Sequence, residues 1–409
     1  MSIARRARRV GVGAAVATVA ATAMTLGAKA GGRAMVGRTE ARLCRTVWAP
    51  PYHASDRALA LHRKLWIADL HADSLLWGRD LLVRGDRGQV DIPRLREGNV
   101  ALQVLAASTK SPRHLNIERN DDSSDDVVLL ALALGWPPAT WRRLLPRALY
   151  MASRADRFAA RSGGAFRVIR TRDDLTAYET ARLADPSLTA SLLAIEGAHA
   201  LDGDPANVDV VADAGFRMMS PSHFFDNAFG GSAHGIEKGG LTDAGREMVR
   251  RMEARRMLVD VAHASVATID DVLALATRPV IASHTGVRGV CDNARNLSDA
   301  HLRGIAETGG VLGIGFWPTA CGGDDPASIA QSIRYAVGIA GVEHVAIGSD
   351  FDGCELPAGL RGAQDLPLVL DDLGWGEEEL RLLASENFLR VLRQVQNAAS
   401  SRAMPTGSS

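Results

Sequence analysis

The run IADLHADS, residues 67–74, ends an apolar stretch on His71 and Asp73. In an extended chain residues two apart face the same way, so this imidazole and this carboxylate can converge on one point. Taken alone, the pair suits a hydrogen bond as well as a shared ligand. The same pattern returns along the chain. Glu196 lies at the end of SLLAIEG, His223 follows GFRMMSPS, His263 follows RMLVDVA, His284 ends PVIASH, and Asp350 ends HVAIGSD. One buried histidine after an apolar run is ordinary, whereas polar residues closing successive runs point to a site. Imidazole and carboxylate without thiolate suit Zn²⁺ and tolerate Mn²⁺, Fe²⁺ or Co²⁺. His71, Asp73, Glu196, His263 and His284 are too many ligands for one open catalytic zinc. They suit two ions sharing a bridging carboxylate, roughly 3.5–4 Å apart, which would lower the pKa of a shared water to about 7.

Elements must hold these residues together. Strand-like runs fall at 65–70, 99–107, 191–197, 215–222, 256–262, 279–284, 309–316 and 344–350. Between them lie helical patterns with Ser, Thr or Asp at their starts, as in LTDAGREMVRRMEARR and SVATIDDVLALA. Eight such alternations predict an α/β fold, a (β/α)₈ TIM-type barrel, whose chemistry sits at the C-terminal strand ends. The stretch from about 108 to 190 is too long for a simple connection. It predicts a helical insertion between the second and third strands, covering one side of the barrel mouth.

The 409 residues balance 47 Lys and Arg against 47 Asp and Glu, which leaves no basic surplus for nucleic acid. Cys44, Cys291, Cys321 and Cys354 are scattered, without the spacing of a zinc ribbon. At the start, MSIARRARRV carries four arginines, and residues 10–28 then run uncharged to Lys29. That order reads as a signal peptide or N-terminal membrane anchor over 1–30, so the expected location is the cell envelope, with the rest of the chain exported. Residues 31–60 read as a linker, 61–395 as the barrel domain and 396–409 as a disordered tail.

The stretches IADLHADSLLWGRD, AIEGAHAL, SHFFDNAFGGSAHG, VDVAHAS, PVIASHTGVRGVCDNARNLSD and AIGSDFDG together resemble the membrane dipeptidase (renal dipeptidase) family of zinc metallopeptidases. The resemblance runs from about residue 65 to ENFLRVL at 386–392. It implies two Zn²⁺ per chain, one held by His71 and Asp73 and the other by His263 and His284, with Glu196 bridging. It further implies that His223 contacts the reacting carbonyl, Arg295 the substrate carboxylate, and that Asp350 shuttles the proton. The implied substrates are dipeptides, including those with a C-terminal D-residue. A homodimer is compatible with this reading, and a membrane enters only through the N-terminal segment. Ala198 departs from the family pattern, where a second glycine is common after Glu196. Asp352 reads as a turn residue before Gly353, and His199 and His234 are left without a role. The competing functions are another metal hydrolase on the same barrel, such as an amidase or lactonase, and a catalytically silent envelope protein.

Overall fold

In a computed structural model the chain is described over residues 30–45 and 53–397. The strands are β1 (Ile67–Asp69), β2 (Val100–Ser108), β3 (Phe166–Ile169), β4 (Thr189–Glu196), β5 (Phe216–Met219), β6 (Leu258–Asp260), β7 (Val280–Thr285), β8 (Val311–Ile314) and β9 (Val345–Ile347). All pairings are parallel, in the order β2-β1-β9-β8-β7-β6-β5-β4, and a β2–β4 ladder from Leu102–Ala190 to Ser108–Glu196 closes the ring. The expected eight-stranded barrel is therefore present. One apolar cluster takes a side chain from every barrel strand, from Ala68 of β1 to Ala346 of β9, together with Phe388, Leu392 and Val395 of the helix Asn387–Asn397. A larger cluster joins the strands to the surrounding helices.

Several strands stop sooner than their apolar runs. β6 ends at Asp260 and β9 at Ile347, each three residues before a candidate site residue. The chain leaves the ladder there, and His263 and Asp350 both take left-handed backbone conformations, with φ of 63° and 62°. Non-glycine residues rarely hold such angles unless their surroundings enforce them. The helices start where their caps predict. Thr242, Ser265 and Ser298 accept hydrogen bonds from the amides of Gly245, Thr268 and His301, which satisfies otherwise unpaired first-turn donors.

The insertion is not wholly helical. Besides the helices Val127–Ala133, Leu144–Arg161 and Arg172–Ala184 it contains β3. The eight-residue β4 outruns the four-residue β5, and β3 pairs with its uncovered first half, from Phe166–Thr189 to Ile169–Leu192. A covered edge cannot template foreign strands, which gives the short segment a reason to be extended. Helix Leu144–Arg161 buries Ala148, Met151, Ala152, Ala155 and Phe158 along one face. Its Arg154 donates to the carbonyls of Leu75 and Trp77, just beyond the candidate ligands after β1.

Residues 31–60, expected to be a linker, contain structure. The chain is helical over 30–43 and at Asp56–His62. Val36 and Cys44 pack on Trp77 and Leu130, so the first helix is bound by apolar contact to the barrel's loops. The signal or anchor expected at 1–30 falls, but for its last residue, outside the described residues, as do 398–409 of the expected tail. No helix among the described residues is long and apolar enough to cross a membrane.

Candidate metal centre

The polar residues that close the apolar runs meet at the C-terminal ends of the barrel strands, where this architecture places its chemistry. Glu196 is the last residue of β4, His284 lies in β7, His71 and Asp73 follow β1, His223 follows β5, and His263 and Asp350 follow β6 and β9. Four imidazoles aim at a single carboxylate oxygen. The Nε2 atoms of His263, His223, His284 and His71 lie 3.1, 3.3, 3.4 and 3.5 Å from Glu196 Oε1. His71 Nε2 is 3.9 Å from Asp73 Oδ1, and the Nε2 atoms of His263 and His284 are 2.9 Å apart.

All six of these residues are buried, yet many of their polar atoms have no hydrogen-bond partner. Both ring nitrogens of His71, Asp73 Oδ1, Glu196 Oε2, and Nδ1 of His223 and His263 are buried and unpaired. Such groups are costly unless something satisfies them. Protons do not serve. Burial holds the His71 imidazole down to about 3, and burial with neighbouring positive groups holds His223, His263 and His284 well below the usual histidine range. The carboxylates move the other way. Burial, then Asp352, pushes Asp73 up to about 7, and burial, then Asp73, raises Glu196 and Asp350 well above the usual range. Neutral imidazole lone pairs around crowded carboxylates make a donor set for hard or borderline divalent cations, so the residues fit such ions.

Donor atoms within 4.8 Å of one another form three groups: His71 with Asp73 and Glu196; Glu196 with His223 and His263; His71 with His284 and Asp350. The first holds three residues expected at one ion, whereas no group among the described residues joins His263 with His284, the pair expected at the other. His223, expected at the substrate carbonyl, stands inside the donor cluster.

The comparisons with known proteins identify the family. A model of the membrane dipeptidase family, peptidase family M19, matches residues 55–406. The chain belongs to that family. This metallo-dipeptidase is 34% identical over 242 residues to an uncharacterized protein in the pqqA 5' region of Klebsiella pneumoniae, covering 55% of this chain and 89% of that one. It is also 34% identical over 229 residues to the dipeptidase aclJ of Aspergillus oryzae, covering 53% of this chain and 54% of that one. Among solved structures, the dipeptidase AC of family M19 superposes with a TM-score of 0.68 at 25% identity, covering 82% of this chain and 99% of that one. A Rhodobacter sphaeroides metallopeptidase liganded with a phosphinate mimic of L-Ala-D-Ala shares the fold, with a TM-score of 0.64 at 24% identity, covering 81% of this chain and 99% of that one.

In the dipeptidase a second tier supports the donors, and the sequence reading missed it. Asp69 Oδ1 accepts from the Ser349 amide at 2.8 Å, and its Oδ2 from the Ser349 hydroxyl at 2.6 Å and Gln103 Nε2 at 2.7 Å. This ties the strand leading to His71 to the strand leading to Asp350. Asp260 Oδ1 accepts from the amides of Ala262 and Ser283 at 2.9 and 2.8 Å, which joins the ends of β6 and β7. Ser283 Oγ lies 2.9 Å from His284 Nδ1 and also hydrogen-bonds Asp260. With Nδ1 donating to that hydroxyl, His284 presents a free lone pair at Nε2, the usual arrangement behind a metal-binding histidine. The available signal was a carboxylate inside an apolar run two or three residues before a histidine, in IADLH and LVDVAH.

Ala198 is accommodated, being buried at the start of a 3-10 turn, Ala198–Leu201. The glycine that the geometry requires is Gly197, with φ 93°, where a Cβ would lie 2.4 Å from His199 Cε1 and 2.9 Å from His223 Cβ. Arg295 is buried beside the cluster, its Nη2 donating to the His284 carbonyl at 2.6 Å and its guanidinium 5.2 Å from the Trp317 ring centre. Among the described residues its Nε and Nη1 make no hydrogen bond. His199 and His234 line the same region. His199 has no hydrogen-bond partner on either nitrogen, and His234 Nδ1 donates to the Ile117 carbonyl at 2.7 Å, across to the insertion.

Proposed function

We propose that the chain is an exported binuclear zinc dipeptidase that hydrolyses free dipeptides, including those with a C-terminal D-residue. The observation that carries the metal reading is the convergence of the buried His71, His263 and His284 Nε2 atoms within 3.1–3.5 Å of Glu196 Oε1. His71 and Asp73 would hold one ion, His263 and His284 the other, and Glu196 both. Bound divalent ions would supply a nucleophile from water at neutral pH and polarise the scissile carbonyl.

The chain's own groups do the rest. His223 Nε2, which faces Glu196 Oε1 at 3.3 Å and is protonated in the neutral ring, donates to the carbonyl oxygen as it gains negative charge. Asp350, whose carboxyl is pushed up by burial and by Asp73, takes a proton and returns it to the leaving amine. Arg295 offers the second Nη2 hydrogen, paired with Nε or Nη1, to the free carboxylate of the dipeptide, and its planar fork suits two parallel hydrogen bonds. The substrate's carboxylate is thereby fixed against the wall of β7, and its scissile bond is directed to the donor cluster.

Elemental analysis with a dipeptide panel tests this. Two ions per chain, with hydrolysis of L,L and L,D dipeptides and none of longer peptides, is the expected result. One ion or none in an active, metal-replete preparation would overturn the binuclear reading. The Rhodobacter sphaeroides neighbour's L-Ala-D-Ala mimic makes the configuration of the second residue the variable to scan. For export, a reporter active only outside the cytoplasm and fused after residue 60 should be active. Cytoplasmic retention of the native chain would refute that part.

A further inference from the structure

The helix over 30–43 brings a carboxylate to the loop that carries Asp350. Glu40 on that helix is 1% exposed, a burial that a carboxylate tolerates only when it is paired. Its partners are two guanidiniums. Arg79 Nε donates to Oε1, and Arg87 Nε donates to Oε2 at 3.1 Å. Arg79 then reaches on, its Nη2 donating to Asp352 Oδ2 at 2.5 Å and its Nη1 to the Val90 carbonyl at 2.6 Å. The approach leaves no room beside it, since a Cβ on Gly88, at φ 83°, would lie 2.2 Å from Arg79 Cζ.

Asp352 is completely buried and held from every side. Oδ1 accepts from the Gln89 amide at 2.7 Å and Oδ2 also from the Ser74 hydroxyl at 2.6 Å. Its own amide donates to Gln89 Oε1 at 2.6 Å, and its carbonyl accepts from Trp77 Nε1 at 2.8 Å and from the Cys44 thiol at 3.0 Å. Next to the helix, the Arg45 carbonyl accepts from the Leu356 amide at 3.1 Å. The chain before the barrel thus grips both ends of the segment 352–356.

That segment continues a strained turn. Asp350 and Asp352 are both left-handed, at φ 62° and 63°, a conformation that costs of the order of 1 kcal/mol or more at a residue with a side chain. Between them the Phe351 carbonyl accepts from the Asp73 amide at 2.8 Å. Tolerance is small here: a Cβ on Gly353 would lie 2.4 Å from Asp350 Oδ1 and 2.6 Å from Asp73 Oδ2. Two arginines balance the two acids of the network, Glu40 and Asp352, so its charge is neutral. None of these four side chains belongs to the donor groups at the mouth.

We infer that Asp352 is a positioning residue for Asp350, and that the helix over 30–43, acting through Glu40 and Arg79, braces the catalytic turn. The inference rests on the reading of Asp350 as the proton carrier. Slackening the brace misplaces the Asp350 carboxylate without removing it, so kcat falls while the carboxylate clamp and the metal ligands stay.

The test uses the full-length, metal-replete protein, assayed well below its melting temperature. Glu40→Gln should lower kcat about tenfold with KM and metal content unchanged, and Asp352→Asn should lower kcat up to about 100-fold, as expected for misplacement by a fraction of an ångström to about 1 Å. Glu40→Asp should recover part of the loss. On an Asp350→Asn background, Glu40→Gln should cost nothing further in kcat, because the group it positions is already gone. A Glu40→Gln protein with a lower melting temperature but wild-type kcat would overturn the brace, and that variant decides the question if Asp352→Asn does not fold. If Asp350→Asn alone keeps full activity, the proton-carrier reading fails and the brace with it. If Asp350→Asn is inactive and Glu40→Gln is not impaired, only the brace fails.

Discussion

Removing the Arg295 guanidinium separates recognition of a carboxylate from the chemistry of the amide. One Nη2 hydrogen is committed to the protein, on the His284 carbonyl, which leaves the other, paired with Nε or Nη1, for substrate. Two charge-assisted hydrogen bonds at about 1.5–3 kcal/mol each amount to about 3–6 kcal/mol, or roughly 10²–10⁴-fold in kcat/KM. Arg295→Ala should therefore lose that factor with free dipeptides. A C-terminally amidated dipeptide, already poor, should lose less than about tenfold, since a neutral amide forms only ordinary hydrogen bonds there. Arg295→Lys should recover part of the loss with the free dipeptide, having charge without the fork. The measurement is kcat/KM for matched free and amidated dipeptides, with metal content checked, because Arg295 also touches the backbone of His284. A second readout is the pH profile. Arg295 lowers the Asp350 carboxyl, so a neutral residue at 295 lets it rise, and the acid limb of kcat/KM should move to higher pH. Equal losses with free and amidated substrates would refute the carboxylate clamp and turn the reading toward a general amidohydrolase.

Asp350→Asn, which keeps shape but cannot carry a proton, should lower kcat by about 10²–10⁴ with metal content intact, as measured by steady-state kinetics and elemental analysis. Glu196→Gln should weaken both metal sites, because a carboxamide bridges poorly; one ion lost with the other bound unchanged would speak against a shared ligand. Burial holds the His199 imidazole down to about 3, so its stabilising effect is present above the ordinary histidine pKa of about 6.5 and is lost as pH falls below it. In chelator-treated protein, His199→Leu should remove about 2 kcal/mol of the stability lost between about pH 6.5 and 5, read from urea unfolding at the two pH values.

The barrel was legible because eight apolar runs alternate with capped helical patterns, and the site because the polar residue closing six of those runs survives any error in strand length. β3 was not, since FRVI is four residues long and is extended only because β4 leaves an edge beside it. Local sequence holds no record of that need. The helix over 30–43 was hidden for a related reason: its buried acid, Glu40, looks like surface charge until Arg79 and Asp352 are placed beside it. His71, Asp73, Glu196, His263 and His284 could be selected by type and position. The placement of His223 among them is tertiary, fixed by Gly197 and the turn after β5 rather than by any spacing in the chain.

Two tiers of polar groups lie at the strand ends, and their contrast locates the site without reference to relatives. In the lower tier Asp69 and Asp260 are buried carboxylates whose oxygens accept from Ser349, Gln103, Ala262 and Ser283. Those bonds lock β1 to β9 and β6 to β7, and they satisfy the groups that make them. In the upper tier, a few ångströms on, His71, Asp73, Glu196, His223 and His263 all carry buried polar atoms without a partner. A fold selected only for stability would pair such atoms or replace them with apolar groups, since each costs of the order of 1–3 kcal/mol. The rigid lower tier keeps the upper tier from relaxing into internal hydrogen bonds. The unpaired donors are thereby held ready for cations and substrate, and the left-handed strain at His263 and Asp350 falls on two of the residues that lie beyond their strand ends to reach them.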